Sequence, residues 1–432
     1  MDPYSKFREY MITEMVPALG NFIVARAKGA SIWDTNGREY VDAFAGIAVT
    51  NAGHGRPEIL EAARRQMEKF VHSHTFLYPH EPAADLAEQL ASVAPGRLKK
   101  CFFGSTGAEA NEAAMRLARA YTGRTEFIGL YGAFHGRTTA LLSVSGNSRR
   151  KRRGGPFLPG ATVAPAPYLY RSPFPVTEEN APQIYARLLE DVITCATSGD
   201  VAAFIAEPVL GEGGIIVPPR GYFKVVKEVL DKYGILFICD EIQTGFNRTG
   251  TLFAIEQEGV EPDILTTAKG LANGWPLSAM IARPEIAAAF QPDDFLTTYG
   301  GNPVCCAAAL ATLEVHKKER LGEASRRKGE WLIGELRRRL ADAPCVGEVR
   351  GRGLMIGIEF VTDRKTKRPA PDIARAVRER ARDLGVLVGQ GGIYKNVVRI
   401  QPPLVITDVQ LEQVLDAVCR SVAETSTTGG TT

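Results

Sequence analysis

The sequence predicts an α/β protein: a large domain built on a mainly parallel central sheet, with a small α+β domain formed by the two ends of the chain. Three observations predict it. Helical patterns alternate with short apolar strands from about Pro57 to Val315, which is the signature of βα units. The apolar runs, such as Ile235-Leu236-Phe237-Ile238-Cys239, are continuous rather than alternating, as in parallel strands covered on both faces. Outside this stretch the pattern changes to hairpin signals on one side and helix followed by strand on the other.

In chain order, Ser31 to Val41 carries an Asn36-Gly37 step between two β-prone runs, a tight hairpin signal. It belongs to an N-terminal lobe, residues 1–56. The large domain, 57–316, opens its strands with Lys100 to Phe103, followed by Gly104-Ser105-Thr106-Gly107 and a helix over Ala108 to Tyr121. Further strands are Phe127 to Leu130, Val201 to Ile205, Ile235 to Cys239 and Ile264 to Ala268. From Lys317 the chain is helix-rich and then strand-bearing, with strands at Leu354 to Phe360 and Val397 to Ile400. This is the C-terminal part of the small domain, 317–424. Residues 425–432 are Thr/Gly-rich and read as a disordered tail. The one dense charge run, Arg149 to Arg153, is flanked by Gly146 and Gly154-Gly155 and reads as a solvated loop. No internal repeat is found.

With 432 residues, 45% hydrophobic and 23% charged, the composition is that of an ordinary soluble protein with room for two domains. A net charge of +3 argues against a polyanionic partner such as nucleic acid. Seven cysteines without CxxC spacing suit a reducing compartment. The start lacks a basic and then apolar leader, and no apolar run approaches a membrane span. A soluble, cytoplasmic enzyme is expected. No metal site is expected: His72 and His74 lack partners at ligand spacing, and His54 sits in a Gly-His-Gly turn.

The most informative stretch is Ile235 to Lys269. One apolar strand delivers Asp240 to its carboxyl end, where open α/β sheets bind ligands; the next delivers Lys269. By themselves the two could be a structural ion pair. The surrounding residues, Asp240-Glu241-Ile242-Gln243-Thr244-Gly245-Phe246-Asn247-Arg248-Thr249-Gly250, Pro262-Asp263-Ile264 and Ala268-Lys269-Gly270, resemble the class III (ω-amino acid) aminotransferases of the fold type I pyridoxal-phosphate enzymes. The resemblance runs from about Asn21 to Thr407 with its motifs in family order.

What the resemblance implies is specific. Lys269 is the amine that bonds to the aldehyde of pyridoxal 5'-phosphate, and Asp240 keeps the ring nitrogen protonated so that the ring accepts electrons. Thr106, Gly107 and Ala108 bind the cofactor phosphate at a helix N-terminus; Ala108 stands where the family has Ser or Thr. Phe134 stacks on the ring, with His135 beside it. Glu207, in Glu207-Pro208-Val209-Leu210-Gly211-Glu212-Gly213-Gly214, lies on the phenolic side of the ring. Ile242 and Gln243 complete the cofactor set, and Thr298 reaches the phosphate of a neighbouring subunit. Active sites shared within a homodimer are therefore expected, with a tetramer as the further possibility.

For substrate, Ile47, Arg137, Glu212 and Arg399 together resemble 4-aminobutyrate aminotransferases that use 2-oxoglutarate. In those relatives the glutamate pairs with the arginine when the substrate has one carboxylate and releases it to a dicarboxylate. Gly351 to Gly357 and Gly385 to Gly392 look more like alanine–glyoxylate aminotransferases of type 2. Transfer from an ω-amino acid to a 2-oxo acid (2-oxoglutarate, pyruvate or glyoxylate) is the expected reaction. An alanine–glyoxylate enzyme and an amino-acid racemase on the same scaffold are the alternatives.

Overall fold

The computed structural model describes residues 1–13 and 22–428. Residues 14–21 of the N-terminal lobe and 429–432 of the expected tail lie outside them. Seven strands form the central sheet, in the spatial order Lys100–Gly104, Ser278–Ala282, Ile264–Thr267, Leu236–Asp240, Val201–Ala206, Glu126–Leu130 and Ala161–Ala164. All neighbours are parallel except Ser278–Ala282, which runs antiparallel to the strands on both sides.

Every residue of Val201–Ala206 and Leu236–Asp240 is buried, because helices cover both faces of the sheet. Successive side chains alternate between them. Phe204, Phe237 and Cys239 face helices Ala181–Cys195 and Tyr222–Tyr233. Ile205 and Ile238 face Ala113, Ala114 and Leu117 of helix Gly107–Thr122.

The small domain draws on both chain ends. Val24–Lys28, Ser31–Asp34 and Glu39–Asp42 form an antiparallel meander. The expected hairpin turns at Gly37, φ 82°, and the Asp34 carboxylate accepts the Asn36 and Arg38 N–H groups at 2.9 and 3.0 Å. Val386–Leu387, far along the chain, joins Glu39–Asp42 in parallel and completes this sheet. A second, antiparallel sheet holds Val346–Arg352, Met355–Asp363, Val397–Ile400 and Gly389–Gly391. One apolar core unites both ends, from Val41 and Ala43 to Leu336, Ile358, Val398 and Leu415.

Three features lock the domains together. Helix Pro303–Lys318 puts Cys306 and Ala309 into the large core and Val304, Ala308 and Val315 into the small one, so it runs through the expected boundary at 316. Ile59 and Ala63, from the start of the expected large domain, also pack into the small core. Arg248 is fully buried and donates to the carbonyls of Leu354, 3.0 Å, and Pro402, 2.6 Å, and to Asn51 Oδ1. One guanidinium thus satisfies acceptors from both chain ends. The terminal helix Asp408–Thr428 reaches into the expected tail, and Thr425 Oγ1 donates to the Ser421 carbonyl at 2.7 Å. No helix among the described residues is long and apolar enough to cross a membrane.

Candidate active site

Three neighbouring parallel strands release three chemically active residues at one sheet edge. Glu207 follows Val201–Ala206, Asp240 ends Leu236–Asp240, and Lys269 lies two residues beyond Ile264–Thr267. Asp240 is paired in register with Thr266 of the next strand. Two further strand ends supply Gly104 to Gly107 and the turn carrying Phe134 and His135. The sheet topology therefore assembles the site without any long-range accident of the loops.

Asp240 is buried, and its oxygens are well defined. Oδ2 lies 2.8 Å from His135 Nδ1 and accepts from Asn111 Nδ2 at 2.8 Å, while Oδ1 accepts the Ile242 N–H at 3.1 Å. Asn111 is oriented in turn by Thr266 Oγ1, 2.7 Å, and by the His135 carbonyl, 2.8 Å. A carboxylate bonded through both oxygens keeps one orientation. Glu207 is held as firmly: Oε1 accepts from Phe134 N and Oε2 from Gly211 N, both at 2.9 Å. Burial pushes its carboxyl up to about 7 against the pull of His135.

Lys269 adopts φ 44°, a left-handed backbone that few non-glycine residues take and that strained active-site positions often show. Its residue surface is not fully covered. Burial of its amine and the neighbouring Arg399 bring its pKa down to about 8, with Asp240, Glu207 and Glu212 opposing. The sign follows directly: a lowered lysine pKa favours the neutral amine, so the nucleophilic form dominates above pH 8 rather than above 10.5. Competitive labelling of the cofactor-free protein with a small neutral electrophile should therefore modify the Lys269 peptide half-maximally near pH 8. A midpoint at the ordinary lysine value of about 10.4 would contradict the electrostatics.

At the start of helix Gly107–Thr122, Thr106 forms a capping box with Glu109, whose Oε2 takes the N–H groups of Ser105, 2.6 Å, and Thr106, 2.9 Å. The first two helical N–H groups, of Gly107 and Ala108, have no intrahelical acceptor and suit an anion. Ile242 closes over this turn; a Cβ on Gly107 would stand 2.8 Å from Ile242 Cδ1. Gln243 packs against Gly211, and its Oε1 accepts from Gln401 Nε2 at 3.1 Å.

Glu212 and Arg399 form the expected pair, Oε2 to NH2 at 3.1 Å, both buried. Burial alone would raise the Glu212 carboxyl, but Arg399 and Arg150 overcome it and hold it below its ordinary value. The Arg399 guanidinium lies 5.1 Å from the Phe44 ring centre. Glycine residues make this possible: a Cβ on Gly391 would meet Arg399 Nε at 2.6 Å, and one on Gly389 would meet Phe44 at 2.1 Å. The Gly389-Gln390-Gly391-Gly392 run, which reads as framework, thus shapes the floor beneath Arg399.

Three expected residues stand at the rim. Ile47, 43% exposed, sits on a turn in which Ala45, Gly46, Ile47 and Ala48 all have positive φ, from 51° to 73°. The Asp42 carboxylate anchors it through the N–H groups of Phe44 and Ala45. Arg137 is exposed, its guanidinium 5.7 Å from the Phe134 ring centre. Thr298 is exposed on a loop whose Thr297 hydroxyl reaches Glu109 Oε1 at 3.3 Å.

Sequence reasoning misses several members of the site. Asn111 falls one helical turn after Gly107, and an asparagine on an otherwise apolar helix face is a legible sign. Gln401 and Phe44 carry no such sign. The larger correction concerns Arg149 and Arg150, which read as part of a solvated loop. Their side chains are 17% and 26% exposed and both bond Glu212 Oε1, Arg149 at 3.2 Å. The buried carboxylate outcompetes water for them; Arg152 and Arg153 remain exposed.

Comparison with known proteins gives a consistent picture. Residues 14–422 match the family model described as aminotransferase class-III. The chain is 39% identical, over 91% of its length and 81% of the relative's, to alanine–glyoxylate aminotransferase 2 homolog 2 of Arabidopsis thaliana. It is 38% identical, over 95% of both chains, to the 5-aminovalerate aminotransferase DavT of Pseudomonas aeruginosa. It is also 38% identical, over 93% of its length and 90% of the relative's, to a leucine/methionine racemase of Thermococcus litoralis. Among solved structures, an (S)-enantioselective omega-transaminase from Thermomicrobium roseum superposes with a TM-score of 0.92 at 36% identity, covering 98% of each chain.

Proposed function

The chain belongs to the class III aminotransferases, pyridoxal-phosphate enzymes of fold type I, and from that membership we propose that it moves an amino group from an ω-amino acid to a 2-oxo acid by a ping-pong reaction. The observation that carries this reading is the delivery of Glu207, Asp240 and Lys269 by three adjacent strands to one edge, with the lysine amine biased toward its neutral form.

The residues present fit the cofactor. A buried, singly oriented carboxylate suits a protonated ring nitrogen, a helix N-terminus suits a phosphate, and a desolvated lysine suits covalent capture. Pyridoxal phosphate, when bound, supplies an electrophilic aldehyde carbon and a ring that takes up electrons released at the substrate carbon. Asp240, positioned by His135 and Asn111, would hold the ring-nitrogen proton. Phe134 would cover one ring face, and Gln243, seated against Gly211, would donate toward the phenolic oxygen. Gly107 and Ala108 would hold the phosphate through their backbone N–H groups, Ala108 offering no hydroxyl. Lys269 would supply the amine that captures this aldehyde and, as a free base, would be placed to move a proton at the substrate carbon.

Substrate acids are read by Arg399, Arg137 and Glu212. A monocarboxylate leaves the Glu212–Arg399 pair closed; a dicarboxylate takes Arg399 for itself. Truncation of the switch, Glu212→Ala, should raise KM for monocarboxylic partners about 10-fold more than for dicarboxylic ones, since an unpaired buried guanidinium is costly. Equal effects on both classes would defeat the switch. Thr298, exposed on each chain, completes the phosphate site of a second copy, which makes a homodimer the working unit.

The direct test is a half-reaction panel: the aminated enzyme is mixed separately with 2-oxoglutarate, pyruvate and glyoxylate, and return of the visible band of the lysine-bound cofactor is followed. Return with none of the three would remove transamination from consideration. A second reading, amino-acid racemisation, is favoured by the likeness to the Thermococcus litoralis racemase. Loss of chirality of an enantiopure amino acid without an oxo acid present, and without release of any, would select it.

A further inference from the structure

Glu212 is gripped from two sides at once. Oε2 meets Arg399 at 3.1 Å, while Oε1 meets Arg149 at 3.2 Å and Arg150. Arg149 and Arg150 stand on the one-turn helix Ser148–Lys151, which the chain brings across from the far side of the phenylalanine turn. The Arg150 guanidinium lies 6.0 Å from the Phe134 ring centre, beside Arg137 at 5.7 Å. Three guanidiniums therefore converge on one carboxylate, with that of Arg137 beside them. Both Arg150 and Arg399 keep a buried Nε–H with no partner among the described residues. The cluster has positive charge and donors in excess of what Glu212 can satisfy.

This arrangement changes what a two-state switch costs. If Glu212 had Arg399 as its sole partner, a dicarboxylate that took Arg399 would strand a buried carboxylate, and that penalty would oppose binding. Here one oxygen of Glu212 is already bonded elsewhere. A substrate carboxylate can replace Oε2 on the planar fork of Arg399 while Oε1 keeps both of its own partners. We propose that Arg149 and Arg150 form a docking site for the displaced Glu212 carboxylate, which tunes this chain toward an acceptor carrying two acid groups. The inference deepens the function assigned above and rests on it. A monocarboxylate requires no exchange at Arg399, so it gains little from the dock. Arg149 and Arg150 are thus specificity-determining residues that act through Glu212 rather than by touching the reacting atoms.

The test uses the cofactor-loaded enzyme and two unreactive acids of defined charge, glutarate and butyrate, with binding measured calorimetrically. In the R149Q/R150Q double variant, glutarate should bind about 30-fold more weakly and butyrate within about 3-fold of its original affinity, a gap set by the stranded charge. In the E212Q background the same double change should move glutarate by less than about 3-fold, because a neutral amide needs no dock. Weakening both acids alike would mean a general loss of positive field and would overturn the proposal. So would a loss for glutarate that stays undiminished in the E212Q background, which would mean direct contact with the ligand, or no effect on either acid. The single variants R149Q and R150Q, with melting temperature and the cofactor's visible band as controls, keep the result readable if the double variant folds poorly. The two layers separate cleanly: glutarate preference without any amino transfer would remove the assigned reaction and leave the dock, whereas normal transfer with equal losses for both acids would do the reverse.

Discussion

Replacing Lys269 by alanine abolishes amino transfer, with a fall in turnover of at least ~10³-fold, and leaves the protein folded. Two proposed roles would vanish together: the amine that binds the cofactor covalently and the base that carries the proton, the second alone being worth about 10²–10⁴-fold. Among the described residues, no other lysine stands at this sheet edge to substitute. The fold should survive because no strand or core contact depends on the amine, whose burial is itself unfavourable, as its lowered pKa records. Turnover, thermal unfolding and peptide mapping after borohydride reduction check the outcome. Near-normal turnover, or a reduced adduct on another residue, would refute the assignment.

The second large effect is at Asp240. The isosteric change Asp240→Asn should lower kcat by about 10²–10³-fold, the usual consequence of removing a preorganised electrostatic partner. Geometry adds to the loss. Oδ2 takes hydrogen bonds at 2.8 Å from Asn111 and faces His135 Nδ1 at 2.8 Å, and Oδ1 takes one from Ile242 N. An amide has one acceptor oxygen, so either orientation sets an NH2 group against a donor. That conflict costs about 1–3 kcal/mol, visible as a lowered melting temperature even without cofactor. A variant with kcat within about tenfold of the original would show that ring protonation does not depend on this carboxylate.

These two residues are legible because of how parallel sheets are built. A strand buried on both faces is a continuous apolar run, and a charged residue closing the run marks the sheet edge, as Asp240 does after Ile235 to Cys239. The lysine two residues past Ile264–Thr267 is legible for the same reason. What periodicity cannot give is direction: Ser278–Ala282 is as fully buried as its parallel neighbours and yet antiparallel. Nor can it give pairing across the chain, as between Val386 and Val41. The left-handed turn at Ala45 to Ala48 is hidden because alanine and isoleucine rarely take positive φ; tertiary contacts impose it. Arg149 and Arg150 mislead because runs of positive charge are ordinarily hydrated. Only the position of Glu212 across the site, a tertiary fact, turns these two inward.

The shared architecture of the chain ends has a temporal consequence. Val386–Leu387 supplies the last strand of a sheet begun at Val24, and Leu411 to Val422 fill the core that Val41 and Ala43 enter. During synthesis, the first meander must wait uncovered until the chain through Val422 has left the ribosome. The seven-stranded sheet is internal to residues 100–282 and can assemble well before that. Birth of the molecule is thus staged, the catalytic floor maturing first and the wall bearing Ile47 and Arg399 closing over it only at the end.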